Sequence, residues 1–147
     1  MVDAPPRIRL ARFDELQPRE LYGILKLRSD VFISEQQCVY DDIDGRDAEP
    51  DALHLWMEHE GAVIAALRLL HDRDGCHHIG RVVTHPAHRR RGLAAALMRE
   101  AMARATPPIT IKAQAHLAAW YARFGFVPYG EEFIEDGIPH QRMRLDA

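Results

Sequence analysis

Residues 84–97 read THPAHRRRGLAAAL and hold the most informative junction between predicted elements. A strand-like pattern ends here, three arginines lead into Gly92, and an alanine-rich apolar segment with helical spacing follows. The N-terminus of a helix presents unpaired N–H groups and a partial positive charge. Glycine lets the backbone come close to a ligand because it has no Cβ. The stretch therefore predicts an anion site suited to a pyrophosphate.

Two other interpretations of the arginine run are open at this point: the solvated basic start of a helix, and a nucleic-acid patch. Cations at a helix N-terminus oppose the dipole, so three arginines without an anion would be locally unfavourable. A nucleic-acid patch is the weaker alternative, because residues 93–102 present an apolar face and no second basic stripe follows. The sequence contains neither GxxxxGKS/T nor GxGxxG, which excludes the two standard phosphate loops.

The composition indicates an ordinary globular chain. It has 147 residues and a formal net charge of −3, which fits one domain over residues 1–147 and argues against a chain that coats nucleic acid. No apolar run is long enough to predict a membrane span, and the start, MVDAPPRIRL, lacks the apolar core of a secretory signal. Cys38 and Cys76 form no CxxC pair, which favours a reduced, cytoplasmic compartment.

The spacing of apolar residues predicts the order β-α-β-β-β-α-β-α-β-β. Strands are expected at 8–12, 53–59, 62–71, 77–84 and 109–113, with two more near the C-terminus joined at Asp136-Gly137. Helices are expected at 16–32, where Arg28 interrupts the apolar stripe, and at 91–105 and 115–124. This order indicates an α/β (α+β mixed) class: one mixed, twisted sheet with helices on both faces.

Several blocks of the sequence resemble one enzyme family. Residues 89–94, RRRGLA, match the signature R/Q-x-x-G-x-G/A of the GNAT N-acetyltransferases, and residues 114–126 resemble the second block of that family, NxxAxxxYxxxGF. More closely, VFISEQQCVYDDIDGRD (31–47), AQAH (113–116) and EDGIPH (135–140) look like the ElaA subgroup. The resemblance spans nearly the whole chain and implies a single acyl-CoA N-acyltransferase domain.

The resemblance implies that acetyl-CoA is the cosubstrate and lies in a cleft where two neighbouring parallel strands separate. The backbone of Val82, Val83 and Thr84 would then pair with the pantetheine arm and orient the acetyl carbonyl. The pyrophosphate would be held by the N–H groups of the residues that follow: Arg90, Arg91, Gly92, Leu93, Ala94 and Ala95. Arg89 fills the first signature position, and Gln114 stands where the family usually has an asparagine that contacts the coenzyme.

The reaction implied is direct attack of a neutral amine on the thioester. A base removes the ammonium proton, backbone donors stabilise the oxyanion, and an acid protonates the departing thiolate. Tyr121 matches the acid of the family. From the residues alone, Leu117, Trp120, Tyr121 and Phe124 also form an apolar stripe, so an ordinary core tyrosine is the alternative.

The general base is not marked by a motif, because the strand HHIGRVVT lacks the glutamate that many relatives carry there. Glu35 is the first candidate, since it lies seven residues after Arg28, on the same helix face if the helix persists. Its alternatives are a plain surface carboxylate and an ion pair with Arg28. His140 is the second candidate, with a structural hydrogen bond as its alternative, and a water chain is the third possibility.

The remaining features support no other chemistry. His85 and His88 are three residues apart, but Pro86 disfavours a helix through them, so no metal site is expected. The acidic segment 41–51 is expected to be a solvated loop, with a loop that attracts a cationic amine as the alternative. The expected partners are acetyl-CoA and an amine acceptor, with no nucleic acid and no membrane, in a monomer or homodimer. A non-catalytic acyl-CoA-binding or sensing module is the alternative function.

Overall fold

The computed structural model describes residues 6–37 and 41–147, so Cys38 lies outside the described residues. In these two ranges eight strands form one sheet: β1 (Arg9–Arg12), β2 (Leu53–His59), β3 (Ala62–His71), β4 (His77–Thr84), β5 (Ile109–Gln114), β6 (Val127–Pro128), β7 (Phe133–Glu135) and β8 (Ile138–Leu145). Among the described residues three α-helices accompany it: α1 (Pro18–Arg28), α2 (Leu93–Arg104) and α3 (Ala118–Ala122).

The sheet is mixed, as expected from the sequence. Its order is β1-β2-β3-β4-β5-β8-β6, and β7 also pairs with β8. Strands β1 to β4 are antiparallel neighbours, β4 and β5 are parallel, and β5 and β8 are antiparallel. The C-terminal part has three strands rather than the two predicted, because a turn through Gly130, with φ of 70°, divides the first into β6 and β7 along the long β8.

Helices cover both faces of the sheet, which confirms the predicted layers. Alternation along β2 sends Leu55 and Met57 into a core with Leu97 of α2. The residue between them, Trp56, packs on the other face in a second core with Ile24 of α1. The two clusters together bury the central strands on both sides.

The first helix is shorter than predicted and changes its winding. Pro18 occupies its first turn, and the backbone N–H of Gln17 donates to Glu20 Oε1 at 2.8 Å in a capping box. After Arg28 the chain continues as a π-helical segment, Ser29–Glu35, in which wider turns replace the 3.6-residue repeat. The segment ends with the N–H of Gln36 donating to the Val31 carbonyl at 2.9 Å. A residue seven positions after Arg28 therefore does not share its face.

The other helices also differ from their predicted bounds. The second starts at Leu93 rather than residue 91, because Gly92 has a left-handed φ of 75° that ends the preceding turn. The predicted helix 115–124 opens as a 3₁₀ turn, Ala115–Leu117, and is α-helical over Ala118–Ala122. Strand β5 runs one residue further than predicted, to Gln114.

The prediction that segment 41–51 is solvated is wrong at its centre. Arg28 is 1% exposed, and its Nε donates to Asp42 Oδ2 at 3.0 Å while its Nη1 donates to Asp47 Oδ1 at 2.7 Å. Both carboxylates are buried with it. An arginine in the apolar stripe of α1 needs buried counter-ions, so the acidic segment folds inward and forms a wall beside β3 and β4.

Replacing Arg28 with alanine should destabilise the protein by about 3–5 kcal/mol, because Asp42 and Asp47 would remain buried without their cation. Urea unfolding followed by circular dichroism measures the change. Lys26→Ala on the same helix is the control, because it removes an exposed ion pair with Asp30 and should leave the midpoint unchanged. Equal midpoints for Arg28→Ala and the wild type would contradict the role given to this cluster.

Candidate active site

The site is built on the separation of β4 and β5. Among the described residues these strands pair at two positions, His77 with Ile109 and His78 with Thr110, and then diverge toward their C-terminal ends. Further along β4, Ala66 of β3 pairs with Val83 but Arg68 pairs with Gly80, so β4 carries one extra residue in a bulge.

Within that bulge Arg81 has a left-handed φ of 53°. A bulge bends its strand and interrupts the ladder. Beyond the bulge β4 still pairs with β3 through Val83 and Thr84, and its backbone groups on the β5 side face an open wedge.

Two adjoining cavities fill the wedge. We call the one beside the arginine loop, of about 530 Å³, the loop-side cavity. The other, of about 440 Å³ beside the β7–β8 hairpin, is the hairpin-side cavity. Six residues line both and form what we call the junction: Phe32, Gln36, Val82, Gln114, Leu117 and Tyr121. Ligands in the two cavities would meet there.

The loop-side cavity gathers the residues that the sequence assigned to the coenzyme. It is lined by Val82, Val83, Thr84, Arg89, Arg90, Gly92, Leu93, Ala94, Ala95 and Gln114. Arg91 is absent from this lining, and its Nη1 lies 2.9 Å from His88 Nδ1. Most of the residues predicted to contact the coenzyme thus line one cavity.

The loop before α2 has the backbone of an anion site. Arg90 and Gly92 both have left-handed φ values, 65° and 75°, and no side chain within the described part of the chain caps the N-terminus of α2. Turns that combine left- and right-handed residues direct successive N–H groups into a concave nest. A Cβ built on Gly92 would meet nothing within 4 Å. The space in front of the loop is therefore open to a pyrophosphate.

Glu35 lies on the rim of the loop-side cavity in an ion pair with Arg89. The guanidinium donates to its two oxygens at 2.7 and 2.8 Å, and Arg89 Nε donates to the Thr84 carbonyl at 3.2 Å. The expected alternative, an ion pair of Glu35 with Arg28, is wrong because Arg28 is buried and forms its salt bridges with Asp42 and Asp47. The hydrogen bonds from Arg89 lower the pKa of Glu35, which weakens it as a base.

Tyr121 belongs to the core and also lines both cavities. Its side chain is held by an edge-to-face contact with Trp120, with ring centroids 4.9 Å apart. Burial raises the pKa of Tyr121 to about 12. The phenol therefore stays protonated and can donate a hydrogen bond at the junction.

His140 lines the hairpin-side cavity and pairs in register with Gln114 of β5. Its Nδ1 is 2.7 Å from the Ile138 carbonyl, and its ring stacks on Phe133 with centroids 5.7 Å apart. A carbonyl can only accept, so this contact assigns the proton to Nδ1 and leaves the lone pair on Nε2. The imidazole is thus fixed in a form that can accept a proton beside the junction.

The sequence did not identify Gln36 as a site residue, although its side chain lines both cavities and accepts a hydrogen bond from Gln114. Gln114 Nε2 donates to Gln36 Oε1 at 3.1 Å, so the two amides join opposite walls of the wedge. Gln36 belongs to the ElaA-like block 31–47, which is the signal that could have identified it. The π-helical segment hides it from an analysis based on α-helical spacing, because that segment changes which residues face the cleft.

Across 6–37 and 41–147, no group of three or more His, Cys, Asp or Glu side chains is arranged to hold a metal ion. The helices in those same ranges are all too short or too polar to cross a bilayer.

Comparison with known sequences identifies relatives along most of the chain. A family model described as an acetyltransferase (GNAT) domain matches residues 21–147. ElaA of Escherichia coli is 38% identical over 140 residues, which cover 90% of this chain and 92% of ElaA. A UPF0039 protein of Mycobacterium tuberculosis is 42% identical over 134 residues, which cover 88% of this chain and 86% of the relative.

Solved structures show the same fold. The crystal structure of an acyl-CoA N-acyltransferase from Pseudomonas aeruginosa is 41% identical, with a TM-score of 0.89, covering 95% of this chain and 98% of that one. The crystal structure of Escherichia coli ElaA is 35% identical, with a TM-score of 0.89 and the same coverage. The chain therefore belongs to the GNAT family of acyl-CoA-dependent N-acyltransferases, in its ElaA-like group.

Proposed function

We propose that this protein is an acetyl-CoA-dependent N-acetyltransferase that acetylates a primary amine by direct attack in a ternary complex. The observation that carries the proposal is the junction, where one cavity suited to a coenzyme meets a second, separate cavity. Acetyl-CoA enters the loop-side cavity and the amine enters the hairpin-side cavity. Their reacting atoms come together between Gln114 and Tyr121.

The coenzyme is held mainly by backbone groups. The N–H groups of Leu93, Ala94 and Ala95 at the start of α2 bind the pyrophosphate, because they are the unpaired donors of the helix. Backbone groups of β4 from Val82 to Thr84 bind the pantetheine arm, because the bulge and the separation from β5 leave them facing the wedge. The Glu35–Arg89 pair fixes the loop against the end of β4.

A short acyl group fits the space beyond the junction better than a long one. The hairpin-side cavity is lined there by charged side chains, among them Arg46, Arg81 and Lys112. A long alkyl chain in that space would take these charged groups out of water, which is unfavourable. An acetyl group ends at the junction and avoids this cost.

In the reaction we assign the general base to His140 rather than Glu35. Nε2 of His140 takes the proton of the incoming amine, whose nitrogen attacks the thioester carbon while the C–S bond breaks. Backbone donors at the β4 bulge stabilise the oxyanion. Glu35 is the weaker candidate, because Arg89 occupies both of its oxygens and lowers its pKa.

Tyr121 acts on the leaving group. A thiol has an ordinary pKa of about 8.5, whereas that of Tyr121 is raised to about 12. Complete transfer of the phenolic proton to the thiolate is therefore unfavourable. Tyr121 instead stabilises the departing thiolate by a charge-assisted hydrogen bond, and the proton released by the amine is available to neutralise it afterwards.

The coenzyme site is tested by Gly92→Glu. Acetyl-CoA should raise the Tm of the wild type, and the variant should lose that shift because its carboxylate enters the pyrophosphate space. Gly130→Glu is the matched control, since Gly130 has a similar φ of 70° and open surroundings but lies outside both cavities. The absence of a Tm shift in the wild type at millimolar acetyl-CoA would contradict the proposal.

The role of Tyr121 is tested by Tyr121→Phe. Loss of one hydrogen bond to a developing charge should lower kcat by about 10- to 100-fold and leave the Kd for acetyl-CoA unchanged. Free thiol release over a panel of amines measures the rate, and calorimetry measures the Kd. Tyr129→Phe, which changes a tyrosine outside both cavities, should retain full activity. An unchanged kcat in Tyr121→Phe would remove the residue from the reaction.

The base assignment predicts different effects of two substitutions on turnover. His140→Gln should lower kcat by about 100-fold or more, because a positioned general base contributes that much. Glu35→Gln should keep kcat and raise the KM for acetyl-CoA, because it breaks the pair with Arg89 that fixes the loop. A kcat that is unchanged in His140→Gln and falls in Glu35→Gln would reverse the assignment. Stabilisation by acetyl-CoA with no thiol release on any amine would favour the binding module.

A further inference from the structure

The hairpin-side cavity has two chemically different ends. At the junction its lining carries no formal charge. Toward the point where β4 and β5 pair, it is lined by side chains that we call the basic end: Arg46, Arg68, His78, Arg81 and Lys112. A ligand that spans the cavity therefore meets neutral groups first and cationic groups beyond them.

The hairpin-side cavity is also lined by three carboxylates, Asp44, Glu135 and Asp136, whereas the counter-ions of Arg46 lie behind its surface. Arg46 bonds Glu49 at 2.8 Å and Asp72 at 2.5 Å, and neither carboxylate lines the cavity. Asp44 does line it, but both of its oxygens accept hydrogen bonds from Arg68, at 2.9 and 3.0 Å. At Arg46 the cavity thus faces the cationic side of the ion pairs, and the oxygens of Asp44 are already engaged by Arg68.

Lys112 is the cation with the most unused hydrogen-bonding capacity. Its ammonium has three donors, and its salt bridge to Glu135 Oε1 is long, at 3.6 Å, with 47% of the lysine side chain exposed. Its cross-strand neighbour on β8 is Arg142, whose guanidinium lies 4.2 Å from the centre of the Phe133 ring. Like charges directly opposite on a sheet are unfavourable, so an anion at Lys112 would be stabilised.

His78 adds polarity to the basic end without adding charge. Its Nδ1 lies 3.0 Å from Thr110 Oγ1, and that hydroxyl is 3.5 Å from the His77 carbonyl, to which it donates. Burial lowers the pKa of His78 to about 4, so the ring is neutral near pH 7. The positive charge of this end therefore comes from the arginines and Lys112.

We propose that the acceptor is an acidic amine: a primary amine that also carries an anionic group, such as a carboxylate, which Lys112 binds. The amine lies at the junction, where no cation opposes it, and the anionic group lies at the basic end. Glu135 competes for Lys112 and is displaced when the acceptor binds. This inference rests on the proposed acetyltransferase function and names the substrate class of the same site.

The experiment compares matched acceptors with and without the anionic group. Free thiol release from acetyl-CoA is followed with pentylamine, 5-aminopentanoate and the aminoalkyl phosphonate of the same chain length. Wild type should show a kcat/KM for the two acidic amines at least about tenfold above that for pentylamine. Lys112→Gln should remove this preference through KM and leave kcat and the acetyl-CoA Tm shift unchanged.

Two further variants test whether the charge around Lys112 sets the preference for acidic amines. Glu135→Gln should lower the KM for the acidic amines, the opposite of Lys112→Gln, because it removes the competing carboxylate. Arg144→Gln is the control, because Arg144 lies outside the cavity lining at the far end of the same sheet face. It should leave kcat/KM unchanged for all three amines. Equal use of all three amines by the wild type would overturn the acidic-amine inference while leaving the acetyltransferase proposal standing. Absence of turnover with every amine would overturn both.

Discussion

The site depends on one constraint: β4 and β5 are neighbours in the sheet but pair at two positions before they separate. The bulge at Arg81 turns β4 away from β5, and α2 starts beyond the end of β4. This separation leaves the β4 backbone without a strand partner on its β5 side and opens the two cavities on either side of one junction. A sheet that closed along both strands would bury these groups in ordinary pairing and leave no space for a coenzyme.

A second interaction supports the wedge from outside. Arg28 is held by Asp42 and Asp47, and the same segment bonds Arg68 of β3 and Arg81 at the bulge. Buried ion pairs give little net stability, but they are costly to break once formed. Here the cluster fixes the acidic segment as one wall of the hairpin-side cavity. The same charges that hold the fold therefore give that cavity its polarity.

The loop-side cavity could be predicted from sequence because the features that build it are local: Gly92, the strand before it and the helix after it. The lining of the hairpin-side cavity could not. The partners of Arg28 are 14 and 19 residues away, and spacing does not show which carboxylates fold inward. The π-helical segment moved Glu35 away from the face of Arg28 and brought Gln36 to the junction. Alternation places Lys112 on one face of β5, but it does not show that this face lines a cavity.

We propose that acyl transfer takes place in the wedge between β4 and β5. A crystal structure of the protein with acetyl-CoA would show where the coenzyme binds. We expect pyrophosphate oxygens within about 3.2 Å of the N–H groups at the start of α2, the pantetheine arm along β4 from Val82 to Thr84, and the thioester at the junction beside Tyr121. Coenzyme bound outside the wedge, or β4 and β5 paired along their whole length in the complex, would overturn this proposal.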